Sequence, residues 1–196
     1  MKFLSILSCL LLLGTTRFSA QQEEQNDHKL YLKGNALLAP ALILNAGAEY
    51  QISPKQTLQA DFLISPWKSF AGNHMQIYMG HVEGRHYFKS AMDGFYLGLN
   101  VGFGLYDLTK WNYIGTDKFQ RGFNFMVGGT LGYQWQIHEK WNLDAFIGGG
   151  TSQGMYHGYE QVPPDKWIRY DKAKDWNKSG EWLPYRGGLM ISYKLN

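Results

Sequence analysis

The stretch that most resembles a reactive motif is "HVEGRH", residues 81–86. In an extended strand, alternate residues face opposite sides. His81, Glu83 and Arg85 therefore share one face, and His86 takes the other. A zinc site of two histidines needs both on one helical face, so this stretch cannot form it. Glu83 and Arg85, two apart, read instead as a structural charge pair. "GFG" at 102–104 and "GGGTSQG" at 148–154 are glycine-rich, but no helix follows to complete a phosphate cradle. His157, with Tyr159 and Glu160 beside it, is the one rim candidate for a lipid-trimming or acylating enzyme, and no His-x-Ser accompanies it. Cys9 is the only cysteine, and it lies in the apolar N-terminal segment. Past that segment there is no disulfide, no cysteine metal site and no thiol nucleophile. No catalytic constellation and no cofactor are expected.

The elements that would carry these residues are strands. In "RGFNFMVGGTLGYQWQI" (121–137), Arg121, Phe123, Phe125, Val127, Gly129, Leu131, Tyr133, Trp135 and Ile137 alternate with small or polar residues. Strict alternation means a strand with two unlike faces. Eight such segments follow one another, at about 29–38, 44–53, 57–65, 74–89, 95–108, 121–137, 142–157 and 183–196. Connections after the second, fourth and sixth are short. Those after the third, fifth and seventh are longer, at about 66–73, 109–120 and 158–182. Short turns at one end and long loops at the other characterise an outer-membrane barrel.

The polar faces decide which side is inside. Gly122, Asn124, Met126, Gly128, Thr130, Gly132, Gln134 and Gln136 carry no charge, whereas a water-facing strand usually carries Lys and Glu. Small polar residues suit a narrow, crowded lumen, and the large apolar set suits lipid. The fold class expected is all-β, an eight-stranded antiparallel up-and-down transmembrane β-barrel. Extending the alternation puts Lys33, Glu49, Asp61, Glu83, Arg85, Asp144, Arg186 and Lys194 on the inner face. Four acids and four bases can pair, as buried charge requires.

Residues 1–20, "MKFLSILSCLLLLGTTRFSA", read as a signal peptide: Lys2, an apolar stretch from Phe3 to Gly14, then small residues at Ser19 and Ala20. Residues 21–28 are a short polar lead-in, and 29–196 form the barrel domain. Loss of 1–20 removes Lys2 and Arg17 and leaves a net charge of +1. No basic patch argues for nucleic acid. The longest later apolar run, "ALLAPALIL" at 36–44, is far short of the ~20 residues of a membrane helix.

Aromatic residues gather at strand ends. Tyr87, Phe88, Phe95, Trp135, Trp141 and Tyr193 lie at the turn end; Trp67, Trp111, Tyr113, Trp182 and Tyr185 lie at the loop end. Two belts mark two membrane interfaces. The last strand turns Leu189, Ile191, Tyr193 and Leu195 outward. Its Arg186, Gly188, Ile191 and Tyr193 fit the C-terminal pattern read by the outer-membrane assembly machinery. The loop 158–182 offers Trp167, Arg169, Tyr170, Trp176 and Trp182 as a contact surface, since Trp, Tyr and Arg are common anchors.

"VEGRHYFKSAMDGFYLGLNVGFGLY" (82–106) and "GYQWQIHEKWNLDAFIGGG" (132–150) resemble the DUF3575 family of Bacteroidota. Glu83 and Arg85 stand where its P-E-x-R-Y-W segment has Glu and Arg. Trp135, Trp141, Asn142 and Leu143 match its G-Y-x-W-x-L-x-x-x-W-N-L-E block. Val82 replaces a proline and Asp144 a glutamate. Many members carry a cysteine pair in the last long loop, and this chain has none there. The resemblance, over about 29–196, implies an outer-membrane β-barrel of unassigned role, with a surface or fimbrial protein as a partner. The expected function is structural or surface contact through the outer loops, with outer-membrane lipid around the barrel. The alternatives are a lipid-modifying barrel enzyme and a narrow solute channel.

Overall fold

The computed structural model describes residues 28–162, 166–170 and 175–196. The expected signal peptide, and the lead-in up to residue 27, lie outside the described residues. The strands are β1 (Leu30–Asn35), β2 (Leu44–Ser53), β3 (Gln56–Phe70), β4 (Asn73–Tyr87), β5 (Gly94–Leu108), β6 (Lys118–His138), β7 (Trp141–Val162), β8 (Lys166–Arg169) and β9 (Asn177–Lys194). Each strand from β1 to β7 pairs antiparallel with the next; β9 pairs with β7 and β1 and closes the ring. Among the described residues, eight strands make the ring, and the short β8 pairs with β7 alone.

The register gives the ring its stagger. The row through Val101 runs by Val127 and Thr151 to Trp182 on β9. The other way it runs by Val82, Ala60, Ala48 and Leu32 to Tyr193, also on β9. The two ends lie eleven residues apart, one of them the extra residue of the bulge at Leu183–Arg186. A closed sheet staggered in this way tilts its strands by about 35–45°.

Several boundaries differ from the sequence reading. The expected loop at 66–73 is strand except for Ala71 and Gly72, whose positive φ angles of 48° and 80° fit a two-residue hairpin turn. Most of the expected loop 158–182 is also strand, in β7, β8 and β9. Alternation of apolar residues is enforced only where one face meets an apolar medium. These extensions carry Lys68, Asn73 and Glu160, so they left no such signal. β1 stops at Asn35 and gives way to a tight 3-10 turn at Ala39–Ala41, with Pro40 at its start and Leu42 at φ 54°.

The faces follow the alternation. Leu58, Phe62, Leu97, Leu99, Phe103, Phe125, Val127, Leu131, Ile147 and Ile191 are exposed outward, and Leu99 reaches 80%. The buried apolar set is small: Tyr87, Tyr96, Phe146 and Met190 form one cluster. Most of what is buried is polar. Two of the expected belt residues belong inside. Tyr87 is fully buried, because it follows Arg85 by two and shares its face. Tyr185 points inward and donates to Asn100 Oδ1 at 2.7 Å. The turn between β4 and β5 folds under the ring, burying Ala91 and Met92, and Asn142 donates to the Met92 carbonyl at 2.8 Å.

Candidate functional site

Seven of the eight expected inward charges meet in one buried cluster. Lys33 Nζ lies 2.6 Å from both Glu49 Oε2 and Asp144 Oδ2, and donates to Gln59 Oε1 at 3.0 Å. Arg85 Nη1 reaches the same two carboxylates, at 3.2 and 2.9 Å, while its Nε donates to Glu83 Oε1 at 2.9 Å. Arg186 joins Asp61 at 2.7 Å and Glu83 at 2.5 Å. Lys33, Glu49, Glu83, Arg85 and Asp144 have no exposed side-chain surface. Lys194 shares the inner face, opposite Tyr31, but is half-buried at the mouth and outside this cluster.

Neutral residues complete the cluster, and sequence reading missed them. Thr57 Oγ1 donates to Glu49 Oε1 at 2.6 Å. The Tyr87 hydroxyl lies 2.6 Å from the same oxygen and 2.7 Å from Gln134 Oε1. Tyr96 donates to Asp144 Oδ1 at 2.8 Å, and the Arg85 guanidinium sits 4.3 Å over its ring. The Tyr96 ring lies against Gly132, where a Cβ would overlap it. Burying charge costs several kcal/mol per ion unless the geometry is good and further hydrogen bonds fill the remaining sites. Here every carboxylate already holds a lysine or arginine, so the cluster acts as a cross-brace tying β1, β2, β3, β4, β7 and β9 together.

His81 shares this face. Its Nδ1 lies 3.6 Å from Asp61 Oδ2, and its ring stacks on Tyr185 at 5.7 Å. His86 is exposed on the opposite face.

A second cluster forms at the end where the strands run long. Asp107 accepts from Arg121 Nε at 2.9 Å and Nη2 at 2.5 Å, and contacts His74 Nδ1 at 2.7 Å. Phe119, fully buried, stacks on His74 at 3.9 Å and on Tyr159 at 5.4 Å. Trp167 meets Phe119 edge-on at 5.6 Å, and Arg121 lies 4.8 Å over the Trp167 ring.

The five expected contact residues lie on β8, just after it, just before β9 and on β9. Trp167 and Arg169 lie in β8, the first of them in the cluster just described. Tyr170 contacts Tyr113 at 6.3 Å, and burial pushes its phenol pKa up. Trp176 stacks on His157 at 4.0 Å, and the His157 Nε2 contacts the Asp175 carbonyl. Trp182, on β9, is 83% exposed. Trp111, expected in the loop-end belt, and Ile114, which was not singled out, are exposed after β5 at the same end.

These features define an all-β protein: a closed antiparallel ring with an ion-paired interior and an apolar exterior. The family model described as "Protein of unknown function (DUF3575)" matches residues 6–193, so the chain belongs to that family. No curated protein and no solved structure matches it.

Proposed function

We propose that the chain is a small outer-membrane β-barrel whose charged interior braces and seals it, and whose long-strand end makes surface contacts in adhesion or assembly. The observation that carries this reading is the inversion of faces. Large apolar side chains cover the outside of the closed ring, and lysine, arginine and carboxylates fill the inside. A ring in water would favour the reverse. On β5 the outward apolar run extends from Phe95 to Leu105, eleven residues, against the ~9–11 of a tilted spanning strand. Asp107 and Arg121 follow directly above it.

The channel alternative fits less well, because Lys33, Glu49, Glu83, Arg85 and Asp144 pack against one another with no exposed side-chain surface at the level of the cluster. The lipid-enzyme alternative rests on His157, whose ring is taken up by Trp176 and Asp175. The surface end carries exposed Trp111, Ile114, Trp167 and Ile168, a set suited to a protein partner. The test is refolding of residues 21–196. The expected result is folding only with detergent or lipid; a monodisperse folded protein in plain buffer overturns the reading.

A further inference from the structure

The ring has one incomplete wall. β1 has six residues, fewer than the ~9–11 needed to cross a hydrocarbon layer. Its pairing with β9 ends where Ala36 N donates to Leu189 O at 2.9 Å, and the pairing of β2 with β3 ends at Leu44 and Ile64. Above those points, β9 from Leu183 to Gly187 and β3 from Ser65 to Phe70 flank an opening. No strand lies between them among the described residues.

The borders of the opening are not built to take another strand. Pro66 on β3 and Pro184 on β9 have no N–H to offer, and β9 bulges between Leu183 and Arg186. The sill is the turn 36–43, where Leu37 and Leu42 are exposed; Trp67 Nε1 anchors it by donating to the Ala41 carbonyl at 2.8 Å. Behind the opening lies a cavity of about 330 Å³ with Leu38, Leu63, Met79 and Pro184 on its walls and Arg186 at its floor. Tyr185 crosses the interior to Asn100 and rests against Gly128, where a Cβ would overlap its hydroxyl. Beyond it lies a second cavity of about 330 Å³ with Ile77 and Met126 among its walls.

We propose that this opening is a lateral portal through which the acyl chain of a membrane lipid enters the interior. The inference rests on the membrane reading above. In hydrocarbon, irregular backbone and open sheet edges are tolerated only where they line a cavity, and these edges do. Leu38, Leu63, Met79, Ile77 and Met126 give the walls an apolar side, with Asn45, Asp61 and His81 in the lower cavity and Asn124 and Ser152 in the upper, and the volumes fall within or near the ~300–1,000 Å³ of small-molecule sites. The floor is already neutralised: Arg186 is held by Asp61 and Glu83. A charged headgroup finds no free counter-ion there, so the chain end enters rather than the head.

The experiment uses the full chain refolded into phospholipid vesicles. The lipid carries a photoactivatable diazirine at the end of one acyl chain, and adducts are mapped by mass spectrometry. The expected result is label on inward Leu63 and Met79 as well as on outward Leu97 and Leu99. The double variant Leu63→Trp, Met79→Trp fills the lower cavity; its inward adducts, including those at Ile77 and Met126, should fall to background while Leu97 and Leu99 stay labelled, which also reports that it has folded and inserted. Label on outward residues alone in the unmodified chain overturns the portal and leaves the membrane reading standing. Label on neither set overturns the membrane reading, and the portal with it.

Discussion

Arg85 ties more of the interior together than any other single side chain in the cluster. Its guanidinium reaches Glu49, Asp144 and Glu83 and lies over Tyr96. The cluster holds four carboxylates against Lys33, Arg85 and Arg186, so removing Arg85 leaves acids facing each other without water. Arg85→Ala should cost ~3–5 kcal/mol, the range for breaking one side of a buried pair. Lys140→Ala, an exposed control in the turn after β6, should stay within ~0.5 kcal/mol. Denaturant unfolding in detergent micelles checks both; equal small losses would mean that Arg85 is solvated. Tyr96→Phe should cost about 1–3 kcal/mol, because Asp144 Oδ1 loses its donor in a buried site. The charged members of the cluster were legible in the sequence, since alternation gives the face and a charge on a lumen face must be paired. Their neutral partners were not. Thr57, Gln59 and Tyr87 are ordinary strand residues, and only the packing reveals which carboxylate each one serves.

The strands themselves were legible over the apolar band and not beyond it. The faces of β5, and of β6 between Gly122 and Gln136, follow from their alternation, because the apolar exterior and the crowded interior of the ring take opposite residue types. Past Asp107 and Arg121 that selection ends. The hairpin tops of β3–β4 and β7–β8 therefore read as loops, and the shortness of β1 was hidden by the apolar residues of its turn. The β3–β4 turn allows a direct test. Ala71 sits at φ 48° and Gly72 at φ 80°, and a side chain such as alanine's is strained in the left-handed region, where asparagine is tolerated. Ala71→Asn creates the favoured Asn-Gly pair and should raise stability by about 1 kcal/mol, read as a higher denaturant midpoint. An unchanged or lower midpoint would mean that the long β3–β4 hairpin does not hold this turn in solution.

At the scale of the whole molecule the two ends differ in build. The end holding the β2–β3 and β6–β7 turns is compact, closed by buried Ala91 and Met92. The opposite end carries long strands, the Asp107–Arg121–His74 cluster and exposed Trp111 and Ile114. If the ring spans the outer membrane, the long end faces outward and the compact end the periplasm. The chain supplies a clean assay, because its only cysteine, Cys9, lies within residues 1–20, which the sequence reading assigns to a cleaved signal. Two single variants can then be compared in cells: Thr116→Cys, in the exposed connection after β5, and Glu139→Cys, in the exposed β6–β7 turn. A membrane-impermeant maleimide should label Thr116→Cys on intact cells. Glu139→Cys should react only after the outer membrane is permeabilised, and the unsubstituted chain should stay dark throughout. Labelling of Glu139→Cys alone on intact cells would invert the orientation. Equal labelling of both on intact cells would mean that no membrane separates the two ends, and the inverted faces of the ring would then need another apolar partner to cover them.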